Sequence, residues 1–293
     1  VSMLAKEVNE DLQDRIRAIE QVAAGLGDQR VAQPDAVQKA LLHLPVFQNL
    51  FNGGSFVTDT DGNALASVPE SLGRFGRNYM DRPEVARALR GGQTQVGPPA
   101  MGRLLLAPVV RIATPIRDAK GQIRGALIGV VNLGQPNFLD KFQKFNYGKT
   151  GNYLLVDAGN RFIVISSDKQ RVLEALPKPG VSPTLDRFIA GQDGYEVFVN
   201  PVGVEVLAAV AQIPVAGWYA AIALPTAEAL APVQQLQRRI LLATLVLTLL
   251  SALLTHWMLG RLLEPLRATA SALLALSDRQ QVLHALPVQG SDE

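Results

Sequence analysis

Between Arg239 and Arg261 the chain runs through ILLATLVLTLLSALLTHWMLG, Ile240 to Gly260, twenty-one residues without a formal charge if His256 is neutral. No other feature limits so strictly what the chain can fold into. At the helical rise the run covers roughly 31 Å, about the thickness of a bilayer's hydrocarbon core. The alternative is a helix buried in a soluble core, but a run of this length without a polar face reads as a membrane span. His256 and Trp257 sit near one end, where an interfacial position suits them. Arg238 and Arg239 precede the run and Arg261 follows it, so charge alone assigns no orientation.

The span also explains the composition, in which 48% of residues are hydrophobic and 18% charged. Net charge is +2, and no basic stripe interleaved with aromatics occurs, so nucleic acid has no footprint as a partner. The chain has no cysteine, which excludes disulfides, thiolate metal sites and cysteine nucleophiles. It begins at Val1 and stops at Asp292-Glu293, and both ends are expected to be cuts through a longer protein.

Leu4, Val8, Leu12, Ile16, Ile19, Ala23 and Leu26 recur three and four apart, which predicts an amphipathic helix ending near Gly25 and Gly27. A shorter helix, DAVQKALLHL, follows Pro34 and stops at Pro45. From Phe56 the pattern changes to β-branched and aromatic runs broken by Gly, Asp and Asn, which are strands and turns. FVTDTDGNALAS (56–67) and YLLVDAGNRFIVISS (153–167) share strand, Asp, a turn ending Gly-Asn, strand and Ser; the Gly-Asn pair is expected to supply the positive φ of a tight turn. A helical stretch and further strands follow each hairpin: Pro83 to Arg90 then 109–133, and Ser182 to Ala190 then 195–213 and 217–224. The region before the span is therefore α+β, two copies of one sheet module on a common N-terminal helix. Beyond the span, Leu262, Leu266, Thr269, Leu273 and Leu276 form the seam of a short coiled coil with Pro265 in its first turn, and a connector runs from Ser277 to Gly290.

Catalytic chemistry finds little support. Gly148-Lys149-Thr150 has the tail of a phosphate loop, but Gln143 stands where the earlier glycine belongs and a strand follows. Asp59, Asp61, Asn63 and Glu70 fall at calcium-loop spacing, yet Ala64 replaces the required glycine, and a hairpin turn is the better reading. The histidines His43, His256 and His284 lie on the short helix, in the span and beyond it, and cannot share a site. The stretch GRNYMDRPEV (76–85) remains. Asp81 can cap a helix begun by Pro83 and ended by Gly91-Gly92, but that leaves Arg77, Tyr79 and Arg82 unexplained, and two guanidiniums beside a phenol suit a small carboxylate.

GRNYMDRPEVARALRGG (76–92) followed by VVRIATPIRDAKGQIRGALIGVVNL (109–133) resembles the membrane-distal module of double-Cache extracellular sensor domains. NYGKTGNYLLVDAGNRFIVISSD (146–168) and GWYAAIALPTAEALAPV (217–233) resemble the membrane-proximal module and its exit helix. LPKPGVSPTLDRFIAGQDGYEVFVNPVGVEVL (176–207) is similar to such sensors in bacterial membrane diguanylate cyclases, and LLEPLRATASALLAL (262–276) with PVQGSDE looks like part of a HAMP linker.

The resemblance implies a double-Cache fold: a long N-terminal helix carrying two PAS-like antiparallel-sheet modules, then a transmembrane helix and a partial HAMP helix. The expected parts are 1–55 leading into the distal module, 56–140 distal, 141–237 proximal with its exit helix, 238–260 the span, and 261–293 HAMP. It further implies a bacterial inner-membrane protein, with residues 1–238 in the periplasm and 261–293 in the cytoplasm, acting as a homodimer. The fragment is then a sensor and not itself an enzyme, with no cofactor. A chemoreceptor or histidine kinase input, or a scaffold that dimerises without a ligand, are the alternatives. The implied ligand is a small carboxylate-like molecule, with Arg77, Tyr79, Asp81, Arg82, Met101, Arg111, Thr114 and Asn132 as candidate contacts. Amino-acid-binding members carry R-x-W-[FY]; here Arg82 is kept, but Glu84 and Val85 stand in place of the aromatics, and Val130 in place of an Asp, with Asn132 two positions on. An anion is therefore expected in place of an ordinary amino acid. Val109, Arg111 and Ala113 share one strand face and Thr114 the other, so Thr114 ranks below Arg111.

Overall fold

The computed structural model describes residues 1–31, 33–144 and 148–277. Val1–Ala229 form one compact unit, and the residues from Leu230 onward belong to another.

In the first unit, helix α1 (Ser2–Val31) buries Leu4, Ala5, Val8, Leu12, Ile19, Ala23 and Leu26, the stripe the spacing predicts, with Ile16 only partly covered. Its regular backbone breaks at Gly27 (φ 19°, ψ −177°), where glycine was expected to end it, although helical turns resume to Val31. Helix α2 (Pro34–Leu42) follows, and then α3 (Pro45–Leu50), a further short helix that the reading of Pro45 as a stop did not anticipate. Proline at the first helical position loses no hydrogen bond, so it starts α3 while ending α2.

The first sheet contains β1 (Ser55–Thr58), β2 (Ala64–Val68), β3 (Gln95–Val96), β4 (Ala100–Met101), β5 (Pro108–Arg117) and β6 (Ile123–Asn132), with α4 (Pro83–Gly91) between β2 and β3. The order is β2-β1-β6-β5-β3, antiparallel, with β4 paired to β5. Alternate side chains sort cleanly to the two faces. Val110, Ile112, Ile116, Leu127 and Val131 join the core under α1, whereas Val109, Ala113, Ala126, Ile128 and Val130 face Val85, Ala88 and Leu89 of α4. The β1–β2 turn is built by Asp59, whose Oδ1 accepts from the amides of Asp61 (2.9 Å) and Asn63 (2.8 Å) and whose Oδ2 accepts from Asn63 Nδ2 (2.9 Å). Gly62 supplies the positive φ of 84° there.

The second sheet contains β7 (Asn152–Asp157), β8 (Phe162–Ser166), β9 (Gly194–Val199), β10 (Glu205–Ile213) and β11 (Trp218–Pro225), ordered β8-β7-β11-β10-β9, with α5 (Pro183–Ile189) before β9. Its hairpin departs from the expected turn: the positive φ (58°) falls on Arg161 and not on Gly159-Asn160. Asp157 holds Asn160 through its amide (3.1 Å) and Nδ2 (2.8 Å), and Arg161 is fixed by Pro177 O (2.9 Å from Nε) and Asp186 (2.9 Å). The first turns of α1 pack here too, since Leu4, Val8 and Leu12 share a core with Leu155, Ala211, Ile213 and Trp218. Lys141 ties α1 to the chain between the sheets through Glu7 (2.7 Å) and Asp11 (2.6 Å). The opposite face is filled by Val156, Phe188, Val210 and Tyr219.

Helix α6 (Thr226–Ala229) leaves this sheet, and its Glu228 carboxylate accepts from the amides of Lys149 and Thr150 and from the Thr150 hydroxyl. Gly148-Lys149-Thr150 thus binds an anion, but one belonging to the chain itself. The Lys149 amide, then the Thr150 hydroxyl, hold the Glu228 carboxyl below its ordinary 4.5. A carboxyl depressed in the folded state stabilises it above its unfolded value and loses that contribution as pH falls through the folded one. Glu228→Gln is expected to lower Tm by a constant amount from pH 8 to 5, with the difference from wild type shrinking below about pH 4.5. An equal difference at pH 7 and pH 3.5, read by differential scanning fluorimetry, would show that Glu228 does not act through its charge.

In the second unit, α7 (Ala231–Ser277) contains the segment Ala231–Arg261, the one helix among the described residues long and apolar enough to cross a membrane, with mean hydropathy 2.0. Thr244, Thr248 and Thr255 return their hydroxyls to carbonyls four residues back (2.9, 2.8 and 2.8 Å), so these three hydroxyls are satisfied within the helix. The Arg261 guanidinium lies 4.9 Å from the Trp257 ring centroid. Pro265 does not open a new helix as expected: α7 passes through it, forgoing one backbone hydrogen bond. The connector expected from Ser277 to Gly290 lies, after Ser277, outside the described residues.

Candidate functional site

Residues 73–82 are laid over the α4 face of the first sheet by backbone pairing to the β1–β2 hairpin. The amide of Ala64 donates to Arg77 O (2.9 Å), and that of Tyr79 to Gly62 O (2.9 Å). Asn78 locks the segment, Nδ2 donating to Asp61 O (2.8 Å) and to Asn63 Oδ1 (2.9 Å). The Tyr79 ring therefore lies on Phe56 of β1, with centroids 4.4 Å apart. Pro83 then starts α4, whose N-cap is Arg82, with no side-chain cap, and Gly92 in the left-handed region ends it. Asp81 is not the cap, contrary to expectation. Its Oδ2 lies 2.7 Å from Arg103 Nη2 and 3.5 Å from Arg82 Nε, so it ties the loop between β4 and β5 to the start of α4.

These elements enclose a cavity of about 270 Å³. Its apolar wall is Phe56, Tyr79, Leu104, Leu105, Val109 and Val130. Its polar wall carries five guanidiniums, those of Arg74, Arg77, Arg82, Arg103 and Arg111, and no carboxylate. The nearest acids are already engaged: Asp81 as above, and Glu84, whose Oε1 meets Arg111 Nη1 at 3.2 Å in a pair that is almost wholly buried. Arg74 is 3% exposed, donates from Nη2 to Gly53 O (2.6 Å), and sits 5.3 Å from the Phe56 centroid; its Nη1 is buried without a partner. Burial draws the Arg74 guanidinium down to about 10, the Tyr79 hydroxyl opposing and Arg111 adding to the fall. Burial also lowers Arg111, with Glu84 opposing, and raises the Tyr79 phenol against the pull of Arg74, Arg77, Arg111 and Arg82. The phenol thus lies within electrostatic reach of four cations. Such a chamber stabilises negative charge.

Of the residues expected from sequence, Arg77, Tyr79, Arg82 and Arg111 meet around this cavity, and Asp81 borders it through its partners. Three do not line it. Met101 is 53% exposed on β4. Thr114 points to the α1 side, where its hydroxyl meets Thr94 at 3.1 Å and Thr94 meets Glu20 of α1, as the strand alternation requires. Asn132 closes the end of β6, its amide accepted by Asn52 Oδ1 (2.7 Å) and its Oδ1 accepting from Gly134 N (2.9 Å). Arg74 and Arg103 were not anticipated, since each lies in a loop where no periodicity marks a face. The one available signal for Arg103 was its neighbours, GRLLLA (102–107), three leucines in a turn between strands. Among the described residues, no group of three or more His, Cys, Asp or Glu side chains could hold a metal.

The first unit is thus two antiparallel sheets on one long helix, the first sheet with a cationic chamber beneath its loop. Residues 1–233 match the family described as the Cache domain, in its double-Cache form, and the chain belongs to that family. No curated protein matches it by sequence. Among solved structures it is similar to the ligand-binding domain of the Pseudomonas aeruginosa PAO1 amino acid chemoreceptor PctB in complex with L-Arg. That likeness has 23% identity and a TM-score of 0.63, covering 81% of this chain and 89% of that one. The Pseudomonas fluorescens chemoreceptor CtaA ligand-binding domain with L-isoleucine (20%, 0.59, 78% and 90%) and the V. cholerae histidine kinase DctB sensor domain (16%, 0.55, 76% and 93%) are also similar. At these identities the likeness is one of fold.

Proposed function

We propose that this chain is the extracytoplasmic input region of a membrane signalling protein and that its distal module binds a small anionic metabolite. The observation that carries this reading is the charge of the cavity: five arginines line it, and the two bordering carboxylates are already paired. An ammonium group would meet no acid on the wall, while a carboxylate would find charge-assisted donors from several directions. Arg82 is the primary clamp, with Arg77, Arg111 and the Tyr79 hydroxyl beside it. Residues 56–140 would act as the ligand module, 141–237 as its relay, 238–260 as the span, and 261–293 as the start of a cytoplasmic HAMP linker. Homodimers are proposed because a HAMP seam needs partner helices to bury it.

Isothermal titration calorimetry of the whole chain in detergent, against monocarboxylates, dicarboxylates, inorganic phosphate and amino acids, tests the reading. Binding of at least one anion that weakens with added salt is expected, whereas binding confined to neutral or cationic compounds overturns it. The output proposed is a diguanylate cyclase, on the likeness of residues 176–207. Formation of cyclic diguanylate by membranes carrying the intact gene checks that part. Chemoreceptor or histidine kinase output is the second reading, favoured by the solved structures that share the fold.

A further inference from the structure

We propose that the β9–β10 hairpin is a lipid contact, with Val199, Val202 and Val204 at its tip seated in the headgroup layer of the bilayer that the span crosses. This rests on the membrane-span part of the reading above and concerns a surface which that reading leaves unused.

The tip departs from the usual chemistry of a turn, whose free positions are mostly polar. In NPVGV (200–204) the geometry is supplied by Asn200, whose Oδ1 accepts from the amides of Val202 (3.1 Å) and Val204 (2.9 Å), and by Gly203 at a φ of 82°. The two positions left free are valines. Val202 is 74% exposed, Val199 and Val204 are exposed beside it, and no charged residue occurs from Val197 to Val204. Exposed Val181 borders, with Pro183, Val199 and Pro201, a recess of about 470 Å³, so the apolar surface draws on a second segment. Such a patch marks contact with protein or with lipid. Shape argues for lipid, because a convex five-residue turn offers far less than the roughly 800 Å² per partner that a stable protein interface buries. Position argues the same way. Strand β11 ends at Pro225 opposite Val206 of β10, and Thr226 Oγ1 donates to Glu205 Oε2 (2.6 Å) and to Glu205 O (3.4 Å). The hairpin base and the chain's exit from the sheet are therefore one joint, and the tip extends about 10 Å past Pro225 at that end. Residues 226–239, helical in α6 and again from Ala231, make a tether of roughly 25 Å at most between Pro225 and Ile240. The headgroup layer takes up about 5–8 Å of that length. Exposed Lys149 and Lys169 lie at the same end of the sheet, where β7 begins opposite Ala223 and β8 ends opposite Leu154, and they suit anionic headgroups.

The chain has no cysteine, so a nitroxide on Val202→Cys labels one site in the whole chain, held in nanodiscs of phosphatidylcholine and phosphatidylglycerol. Tyr195→Cys, exposed at the other end of β9, is the reference. Electron paramagnetic resonance reads the collisions of each label with oxygen, which concentrates in lipid, and with a water-soluble nickel chelate. The oxygen-to-nickel ratio is expected to be roughly threefold or more higher at Val202 than at Tyr195, as for an apolar side chain at the acyl boundary. A ratio at Val202 no higher than at Tyr195 places the tip in water and overturns the proposal. Suppression of both collision rates at Val202 places it against protein, a second copy of the chain included, and overturns the proposal as well. A chain that stays in solution without entering nanodiscs overturns the span and this contact together, whereas a chain that enters them with Val202 in water overturns the contact alone.

Discussion

Glu84→Ala is expected to destabilise the sensor unit by roughly 3–5 kcal/mol, because removing one partner of a buried ion pair strands the other charge. The Glu84 side chain is fully buried and that of Arg111 only 6% exposed, and they meet at 3.2 Å. Burial already depresses the Arg111 guanidinium, with Glu84 the main force holding it up. At about 2–4 °C per kcal/mol for a unit of this size, Tm should fall by roughly 10 °C. The pair itself is not expected to be a net source of stability. Glu84 Oε2 has no partner, and it occupies space that exists only because Gly97 lacks a Cβ, which would lie 2.6 Å from that oxygen. Glu84→Leu combined with Arg111→Met should therefore recover most of the loss while weakening anion binding, since Arg82 remains. If Glu84→Ala unfolds within 2 °C of wild type in the same buffer, water reaches Arg111 and the pair is not sealed.

The same pair marks how far sequence alone could reach. Periodicity fixed α1, because a stripe from Leu4 to Leu26 has one physical use, and alternation along β5 correctly separated Arg111 from Thr114. The hairpin at Asp59 was legible because Asx chemistry is local. What stayed hidden was set by contacts distant in the chain. Glu84 sits where a helix surface acid was as good a guess, and only the register of β5 brings Arg111 beneath it. Asp81 looked like a cap because an Asp just ahead of a helix opened by Pro83 suits one, but Arg82 stands at the cap position and Arg103, twenty-two residues on, takes the Asp81 carboxylate instead. Arg74 carries no pattern at all. Its role comes from Gly53 and Phe56, which belong to a strand and a turn far upstream.

Arg82→Ala is expected to weaken binding of any anionic ligand on the order of 100-fold while leaving the fold nearly as stable as before. The two halves of that expectation have separate causes. Arg82 presents its guanidinium to the cavity at the point where the chain turns into α4, and its ion pair with Asp81 is long at 3.5 Å. Asp81 keeps Arg103 at 2.7 Å when Arg82 is gone, so no buried carboxylate is stranded, in contrast to Glu84→Ala. A bidentate, charge-assisted contact contributes about 1.5–3 kcal/mol, which corresponds to a loss of roughly one to two orders of magnitude in Kd. Arg77 should matter less, because it is exposed and its Nε is already given to Gly73 O at 2.9 Å, and Thr114→Val should not matter, because its hydroxyl serves α1. Thermal stability makes the difference readable. At a ligand concentration of 100 Kd the wild type gains about 2.7 kcal/mol, several degrees in Tm, whereas a 100-fold weaker variant gains less than about 0.5 kcal/mol. A ligand-induced rise in Tm that persists unchanged in Arg82→Ala would place the anion elsewhere in the chamber, with Arg74 and Arg111 as its clamp.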